Sequence, residues 1–168
     1  MLQALGKTVT KLDFGVSVYA RMEEKDDIRV IVADANTVEL GERFDCVWAS
    51  HVLEHQPNAN LFIRRLRAWA KQDGIIAVTV RPLKFDLVGG HLSLWTPGHL
   101  IYNLVFAGID CSDAELYHYG YNITAIVRNR QAELPPLHYD SGDVGRLRRF
   151  MPPGFHEGVD GFAVARGV

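Results

Sequence analysis

The sequence is poor in three features that mark specialised classes of protein. It has only two cysteines, Cys46 and Cys111, which are too few and too far apart for a disulfide framework or a zinc knuckle. No apolar run reaches the roughly 20 residues that a membrane-spanning helix needs. The opening segment MLQALGKTV lacks the apolar core of a secretory signal. These absences predict two reduced, buried thiols, no membrane partner and a cytoplasmic protein.

An excess of charge of one sign is also missing. The formal net charge is −2 over 168 residues, so no overall basic field points to a nucleic acid partner. Two local arginine clusters, Arg64–Arg67 and Arg146–Arg149, are interpreted as solvated helix faces. The length and the hydrophobic share of 48% indicate one globular domain of ordinary composition.

Alternating strand and helix patterns predict an α/β fold. Apolar, β-branched runs predict strands at Val9–Asp13, Ile28–Ala33, Phe44–Ala49 and Ile75–Val80, and a hairpin of two strands at Cys111–Tyr119 and Tyr121–Arg128. Helices are predicted at Val16–Glu24, at Asn60–Lys71 with Asp73–Gly74 as its stop signal, and from Pro97 to Ala107. The order predicts a Rossmann-like, mostly parallel sheet with helices on both faces and a C-terminal antiparallel hairpin. The domain is predicted over residues 1–130. A C-terminal tail is predicted over residues 131–168, with a short strand at Gly161–Val164.

The stretch from Phe44 to Asn60, FDCVWASHVLEHQPNAN, is the most informative part of the chain. An apolar run ends abruptly at Ser50 and His51, and a helix-like segment with Glu54 and His55 follows. This pattern predicts a buried strand that delivers polar side chains to the carboxyl edge of the sheet, where open α/β sheets bind their ligands.

Two longer segments carry a family resemblance. They are FDCVWASHVLEHQPNANLFIRRLRAWAKQDGIIAVTVRP and GGHLSLWTPGHLIYNLVFAGID. Together they resemble the class I S-adenosylmethionine-dependent methyltransferases, in particular the small-molecule group called type 11, over roughly residues 8 to 130. In that family a strand leads into an LEH turn, a helix, a glycine turn and the next strand. Here Asp73-Gly74-Ile75 takes the place of the glycine turn.

The resemblance implies methyl transfer from S-adenosylmethionine to a small-molecule, sugar or lipid acceptor, and it implies where the site residues lie. Asp13 would bind the cofactor ribose. Asp34 and the backbone amide of Ala35 would contact the adenine, and Ala49 and Ser50 would lie against the cofactor. His51 and His55 would act as general bases near the acceptor. The alternative for Asp13 and Asp34 is that they cap loops, because Asp favours turns after strands.

The chain departs from the family pattern before Asp13. The family's glycine-rich loop lies roughly twenty residues upstream of that position, and MLQALGK contains no such loop. If KLDFGVS is instead a degenerate copy of the loop, a different strand is missing. Either alignment predicts that one N-terminal strand is absent and that its unpaired neighbours favour a homodimer. It also leaves open a non-catalytic, methyltransferase-like scaffold.

A metal-binding alternative comes from the same residues. The segment His51-Val52-Leu53-Glu54-His55 matches the HxxEH pattern of inverted zinc peptidases, with Glu115 or Glu133 as conceivable third ligands. The motif directly follows a strand instead of lying in a long helix, which favours the methyltransferase turn and predicts no metal. His91 is interpreted as an exposed loop histidine or as part of an acceptor pocket. The hairpin carries a cluster that is interpreted as core and cross-strand packing, with acceptor binding as the alternative; it comprises Tyr117, His118, Tyr119 and Tyr121.

Overall fold

The computed structural model describes residues 2–16, 28–84 and 86–155. The chain divides into two compact units, Met1–Gly41 and Glu42–Val168, called the N-terminal and C-terminal units below. Apart from Val16, the helix predicted at Val16–Glu24 lies outside the described residues, as does the short strand predicted at Gly161–Val164.

The N-terminal unit contains a parallel pair of strands. β1 (Thr10–Asp13) pairs with β2 (Arg29–Val32), with Asp13 opposite Val32. A short 3₁₀ helix, Gln3–Leu5, precedes them. Parallel strands bring their carboxyl ends to one edge, so Asp13 and Asp34, which follows β2, both lie at the same edge of this pair.

The C-terminal unit is built on a sheet with the strand order β3-β4-β6-β5 in the described part of the chain. β3 (Phe44–Ser50) and β4 (Ala70–Val80) are parallel and are joined through the helix α1 (Ala59–Trp69). β6 (Asn122–Arg128) runs antiparallel to β4, and β5 (Glu115–Tyr119) runs antiparallel to β6. The predicted α/β fold with its C-terminal hairpin is confirmed.

The helices pack on the sheet through side chains with helical spacing. In α1 the Asn58 side chain accepts a hydrogen bond from the Leu61 amide at 2.9 Å and so caps the first turn. Residues three or four apart on α1 are buried: Phe62, Ile63, Leu66 and Trp69. α2 (Pro97–Phe106) begins with Thr96 as its cap and contacts both α1 and β6. This layer covers the sheet face that carries the buried residues Ile76, Val78, Val80, Ile123, Ala125 and Val127.

The segment predicted to stop α1 lies inside a strand. α1 ends at Trp69 and β4 begins at Ala70, with no residue between them. Asp73 adopts a left-handed φ of 58° within β4. A side chain on Gly74 would come within 3.0 Å of the Lys71 carbonyl oxygen. Asp73 and Gly74 therefore form an irregularity within the strand. The prediction was wrong because a β-bulge and a helix end both use residues that tolerate unusual backbone conformations.

The prediction that β3 is a buried strand is wrong for most of its length. Only Ala49 is buried, while Cys46 is exposed and the Trp48 side chain is 56% exposed. Among the described strands, β3 lies at an edge of its sheet, and its alternate residues lie on the sheet face opposite α1. Cys46 is therefore not the buried thiol that was predicted. Cys111 is buried, and burial raises the pKa of its thiol.

After β6 the chain continues along the C-terminal unit. α3 (Gly142–Leu147) and a 3₁₀ turn at Arg148–Phe150 follow. The Cys111 amide donates a hydrogen bond to the Phe150 carbonyl at 2.9 Å, and Leu147, Phe150 and Phe155 are buried. Within the described ranges, no helix has the length and apolar character needed to cross a membrane.

Candidate functional site

In the N-terminal unit, Asp13 caps the loop that follows β1. Its Oδ1 accepts a hydrogen bond from the Gly15 amide at 2.8 Å, and its Oδ2 lies 3.6 Å from the Lys11 ammonium nitrogen. Gly15 has a φ of +84°, and a side chain there would lie 2.6 Å from Val32 Cγ1. The tight turn therefore needs glycine, and the Asp13 carboxylate holds it in place.

Asp34 caps its own loop in a similar way. Its Oδ1 accepts hydrogen bonds from the Asn36 amide at 2.8 Å and from the Asn36 side chain at 3.0 Å. Its carbonyl accepts from the amides of Thr37 and Val38, so Ala35 lies inside this turn. Both aspartates thus have the loop-capping role given as the alternative. A carboxylate has about four lone-pair sites, so capping leaves capacity for a ligand, and the cofactor-binding role of Asp13, Asp34 and Ala35 stays a prediction.

In the C-terminal unit, His51 directly follows the carboxyl end of β3 in an unusual conformation. Its φ is 53°, in the left-handed region, and its amide donates to the Thr79 carbonyl on β4 at 2.8 Å. A non-glycine residue with positive φ is uncommon. Such strained residues cluster at functional sites. Ser50, beside it, is exposed and Ala49 is buried.

The His51 ring is held between two oxygen atoms. Its Nδ1 lies 3.1 Å from Glu54 Oε1, and its Nε2 lies 2.9 Å from Asn122 Oδ1. The ring also stacks on Tyr121 at 6.3 Å between centroids. With Glu54 ionised, Nδ1–H is the donor to the carboxylate. His51 then either donates from Nε2 as an imidazolium or, as a neutral ring, accepts from Asn122 with the amide group turned over.

Glu54 is the buried centre of this cluster, with an exposed fraction of 0%. Its Oε1 also accepts from the Arg81 amide at 3.3 Å. Its carbonyl accepts from the amides of Leu92 and Ser93 at 2.8 and 3.3 Å, which ties the loop before α2 to the 3₁₀ turn at Leu53–His55. Glu54 Oε2 has no hydrogen-bond partner among the residues that the structure describes. An unpaired oxygen on a buried carboxylate is costly, so it marks a position where a ligand is expected.

His55 and His91 face each other beside Glu54. The His55 Nδ1 lies 2.8 Å from the Gly90 carbonyl oxygen, which makes Nδ1–H the donor and leaves the lone pair on Nε2. The two imidazole rings meet edge to face, with their centroids 4.7 Å apart. Burial, and after it the neighbouring His55, lowers the pKa of His91 below its usual value.

Arg81, at the end of β4, is buried and lies against the same cluster. Its guanidinium donates to both Asp86 oxygens, at 2.9 and 2.7 Å, and stacks over the Tyr121 ring at 4.9 Å. The Lys84 ammonium lies over the same ring at 4.7 Å. Tyr121 therefore contacts two cationic side chains and the His51 ring, in addition to its place in the hairpin.

The structure brings together the predicted site residues of the C-terminal unit. His51 and His55 meet around Glu54 next to Ser50, whereas Asp13, Asp34 and Ala35 belong to the N-terminal unit. Two partners in this cluster, Arg81 and Asn122, were not predicted from the sequence, and Tyr121 was assigned chiefly to packing. Arg81 directly follows a predicted strand, so it was predictable in the same way as His51, as a polar residue at the carboxyl end of a strand. Asn122 carried no such signal, because its role depends on the hairpin register.

Residues 1–78 match the family described as "Methyltransferase domain". The (S)-coclaurine N-methyltransferase of Papaver somniferum is 36% identical over 52 residues, or 31% of this chain and 15% of that protein. The same enzyme of Thalictrum flavum subsp. glaucum is 24% identical over 75 residues, or 45% of this chain and 20% of that protein. The chain therefore spans less than a quarter of either curated relative.

A solved structure has a similar fold. The 1,6-didemethyltoxoflavin-N1-methyltransferase of Burkholderia thailandensis, solved with S-adenosylhomocysteine, has a TM-score of 0.60 at 16% identity, over 75% of this chain and 63% of that one. The resemblance seen in the sequence is confirmed. Residues 1–78, just under half of the chain, match the methyltransferase-domain family, and the fold of the chain is similar to that of a methyltransferase solved with S-adenosylhomocysteine.

Proposed function

We propose that this chain takes part in S-adenosylmethionine-dependent methyl transfer to a small-molecule acceptor. The family match supports methyl transfer in general, and the sequence resemblance implies the cofactor. The observation that carries the proposal for the C-terminal unit is the strained His51, held by Glu54 and Asn122 at the carboxyl end of β3. Ligands of open α/β sheets bind at such strand ends.

The proposed chemistry asks little of the protein beyond positioning and proton removal. Transfer of a methyl group from a sulfonium is an in-line displacement, so catalysis depends on holding donor and acceptor close and aligned. An acceptor that carries a proton needs a base near neutral pH, and histidine suits this task. Glu54 orients His51 through Nδ1, so Nε2 is the atom proposed to take the proton when the acceptor replaces Asn122 as its partner.

The proposed acceptor atom is a nitrogen of a small molecule. Support comes from the similar proteins, since the Papaver and Burkholderia enzymes are both named as N-methyltransferases. A sugar or lipid hydroxyl is the other acceptor class that the family resemblance implies. A panel containing a secondary amine, a phenol, a sugar and a lipid alcohol distinguishes them, with release of S-adenosylhomocysteine as the readout. Turnover with the amine alone is expected.

Calorimetry with S-adenosylhomocysteine tests the cofactor part of the proposal directly. We expect one site per chain with a dissociation constant in the micromolar range, about −8 kcal/mol. The same titration with adenosine alone is the control, and it is expected to bind more weakly because it lacks the amino-acid end. An absence of binding would contradict the proposal.

A non-catalytic scaffold that pairs with a second copy of the chain is the alternative. The observation that favours it is the outer face of β3, where Trp48 is 56% exposed and Cys46 lies beside it. Exposed apolar groups on an edge strand favour association. Light scattering would detect a homodimer, and Trp48→Lys is expected to return it to a monomer. A monomer at all concentrations would remove this alternative.

A further inference from the structure

Glu54, His55 and His91 form a group of potential metal ligands in the C-terminal unit. One ligand atom from each residue lies within 4.8 Å of the other two. Glu54 and His55 belong to the 3₁₀ turn after β3, and His91 comes from the loop before α2. We propose that these three side chains bind a divalent first-row transition-metal ion such as Zn²⁺, an activity beyond the proposed methyl transfer.

The buried carboxylate of Glu54 is the strongest support. Its Oε1 is occupied by His51 and the Arg81 amide, while its fully buried Oε2 has no hydrogen-bond partner in the described part of the chain. A buried, half-satisfied carboxylate is unfavourable unless an opposite charge compensates it. A metal ion bound through Oε2 supplies that charge.

The geometry of the two histidines also suits metal binding. His55 donates Nδ1–H to the Gly90 carbonyl at 2.8 Å, and ligating histidines typically fix their tautomer by such a bond to a carbonyl. Nε2 is then the ligand atom. The His91 ring meets the His55 ring edge to face, with 4.7 Å between centroids, which places a second imidazole beside the first. A side chain on Gly90 would lie 3.2 Å from His55 Nδ1, so glycine gives this contact room.

The ligand types select the metal. Two imidazoles and one carboxylate suit zinc and its neighbours, whereas magnesium and calcium prefer oxygen atoms alone. Tetrahedral zinc with bonds of about 2.0–2.1 Å needs ligand atoms about 3.4 Å apart, and the ligand atoms here lie within 4.8 Å of one another, so only small side-chain movements are needed on binding. Arg81 opposes a cation here, but its charge is balanced by Asp86 at 2.7 Å. Three protein ligands leave the fourth position open.

This site differs from the HxxEH interpretation of the sequence. In that pattern His51 and His55 would share the metal on one helix, and Glu54 would be a base. Here His51 lies outside the 3₁₀ turn and bonds to Glu54 and Asn122, and His91 is the third ligand. His55 is thereby assigned to the metal, which leaves His51 as the proposed base.

Titration of the full-length chain with Zn²⁺, in competition with a chromogenic chelator and without any cofactor, tests the proposal. We expect one tightly bound equivalent and, with Co²⁺ as the probe, the absorption of a low-coordinate ion. His91→Ala and Glu54→Gln are each expected to weaken binding by about 100-fold or more, beyond the loss typical of an outer-shell partner. His99→Ala, which removes an exposed histidine of α2, is the matched control and should bind like the wild type.

Two results would overturn the assignment. One is the absence of a stoichiometric, tightly bound ion in the wild-type chain. The other is binding that survives His91→Ala but is lost in His51→Asn, which would identify the HxxEH pair as the ligands. The assay needs neither S-adenosylmethionine nor an acceptor, so its failure is distinguishable from failure of the methyl-transfer proposal.

Discussion

Replacing His51 with alanine is expected to lower the turnover of methyl transfer by about 10²- to 10⁴-fold, the usual contribution of a positioned general base. The physical reason is the geometry of the ring, whose Nδ1 is fixed by Glu54 at 3.1 Å so that Nε2 points to one place. The measurement is the release of S-adenosylhomocysteine at saturating cofactor, with the acceptor that supports wild-type turnover. The loss should fall on kcat, because His51 is not proposed to hold the cofactor.

The His51 variant needs a control for folding, because its backbone is strained. Asparagine tolerates a left-handed φ better than alanine does, so His51→Asn keeps the turn while it removes the imidazole. It should lose as much turnover as alanine with an unchanged unfolding transition. His118→Ala, an exposed histidine on β5, is the matched control. If both His51 variants retain wild-type kcat, His51 is not the base.

Replacing Asp13 with alanine is expected to weaken S-adenosylhomocysteine binding by about 100-fold or more. Two ribose hydroxyls would each lose a hydrogen bond to a charged acceptor, a type of bond worth about 1.5–3 kcal/mol, and 1.4 kcal/mol corresponds to a factor of ten. Calorimetry measures the change directly. The unfolding transition should be recorded in parallel, because Asp13 also accepts the Gly15 amide at 2.8 Å.

Asp13→Asn separates the two roles of this carboxylate. The amide oxygen can still cap Gly15, whereas the negative charge and one acceptor are gone, so an intermediate loss of affinity is expected with an unchanged turn. Asp45→Ala removes an aspartate that forms an exposed ion pair with Lys71 at 2.7 Å, and such pairs contribute little. It should bind like the wild type. Equal affinity in Asp13→Ala and the wild type would remove the ribose assignment.

The strands of the sheet were predictable from sequence, because short, apolar, β-branched runs such as Ile75–Val80 are typical of buried strands. The exposure of Cys46 and Trp48 was not predictable. Whether a strand face is covered depends on what packs against it, which composition does not encode. The Asp73–Gly74 error has a different cause, since a helix stop and a strand bulge use the same residue types.

In the candidate site, the residues close together in sequence were predictable and the contacts between distant residues were not. His51, Glu54 and His55 were found because they follow a strand within five residues. Asn122 lies 71 residues from His51 in sequence, yet its side chain is 2.9 Å from the ring. Such a contact follows from the register of β4 against β6, which places Thr79 opposite Thr124 and Val80 opposite Ile123. The lack of a hydrogen-bond partner for Glu54 Oε2 among the described residues likewise becomes visible only in the folded structure.

The direct junction of α1 and β4 has a mechanical consequence. Trp69 ends the helix and Ala70 begins the strand, so no separate loop lies between them. β4 is hydrogen-bonded to β3 on one side and β6 on the other, and it ends next to Arg81, whose amide contacts Glu54. A displacement of α1 would therefore reach the cluster around Glu54 along β4, after passing through the irregular stretch at Asp73 and Gly74.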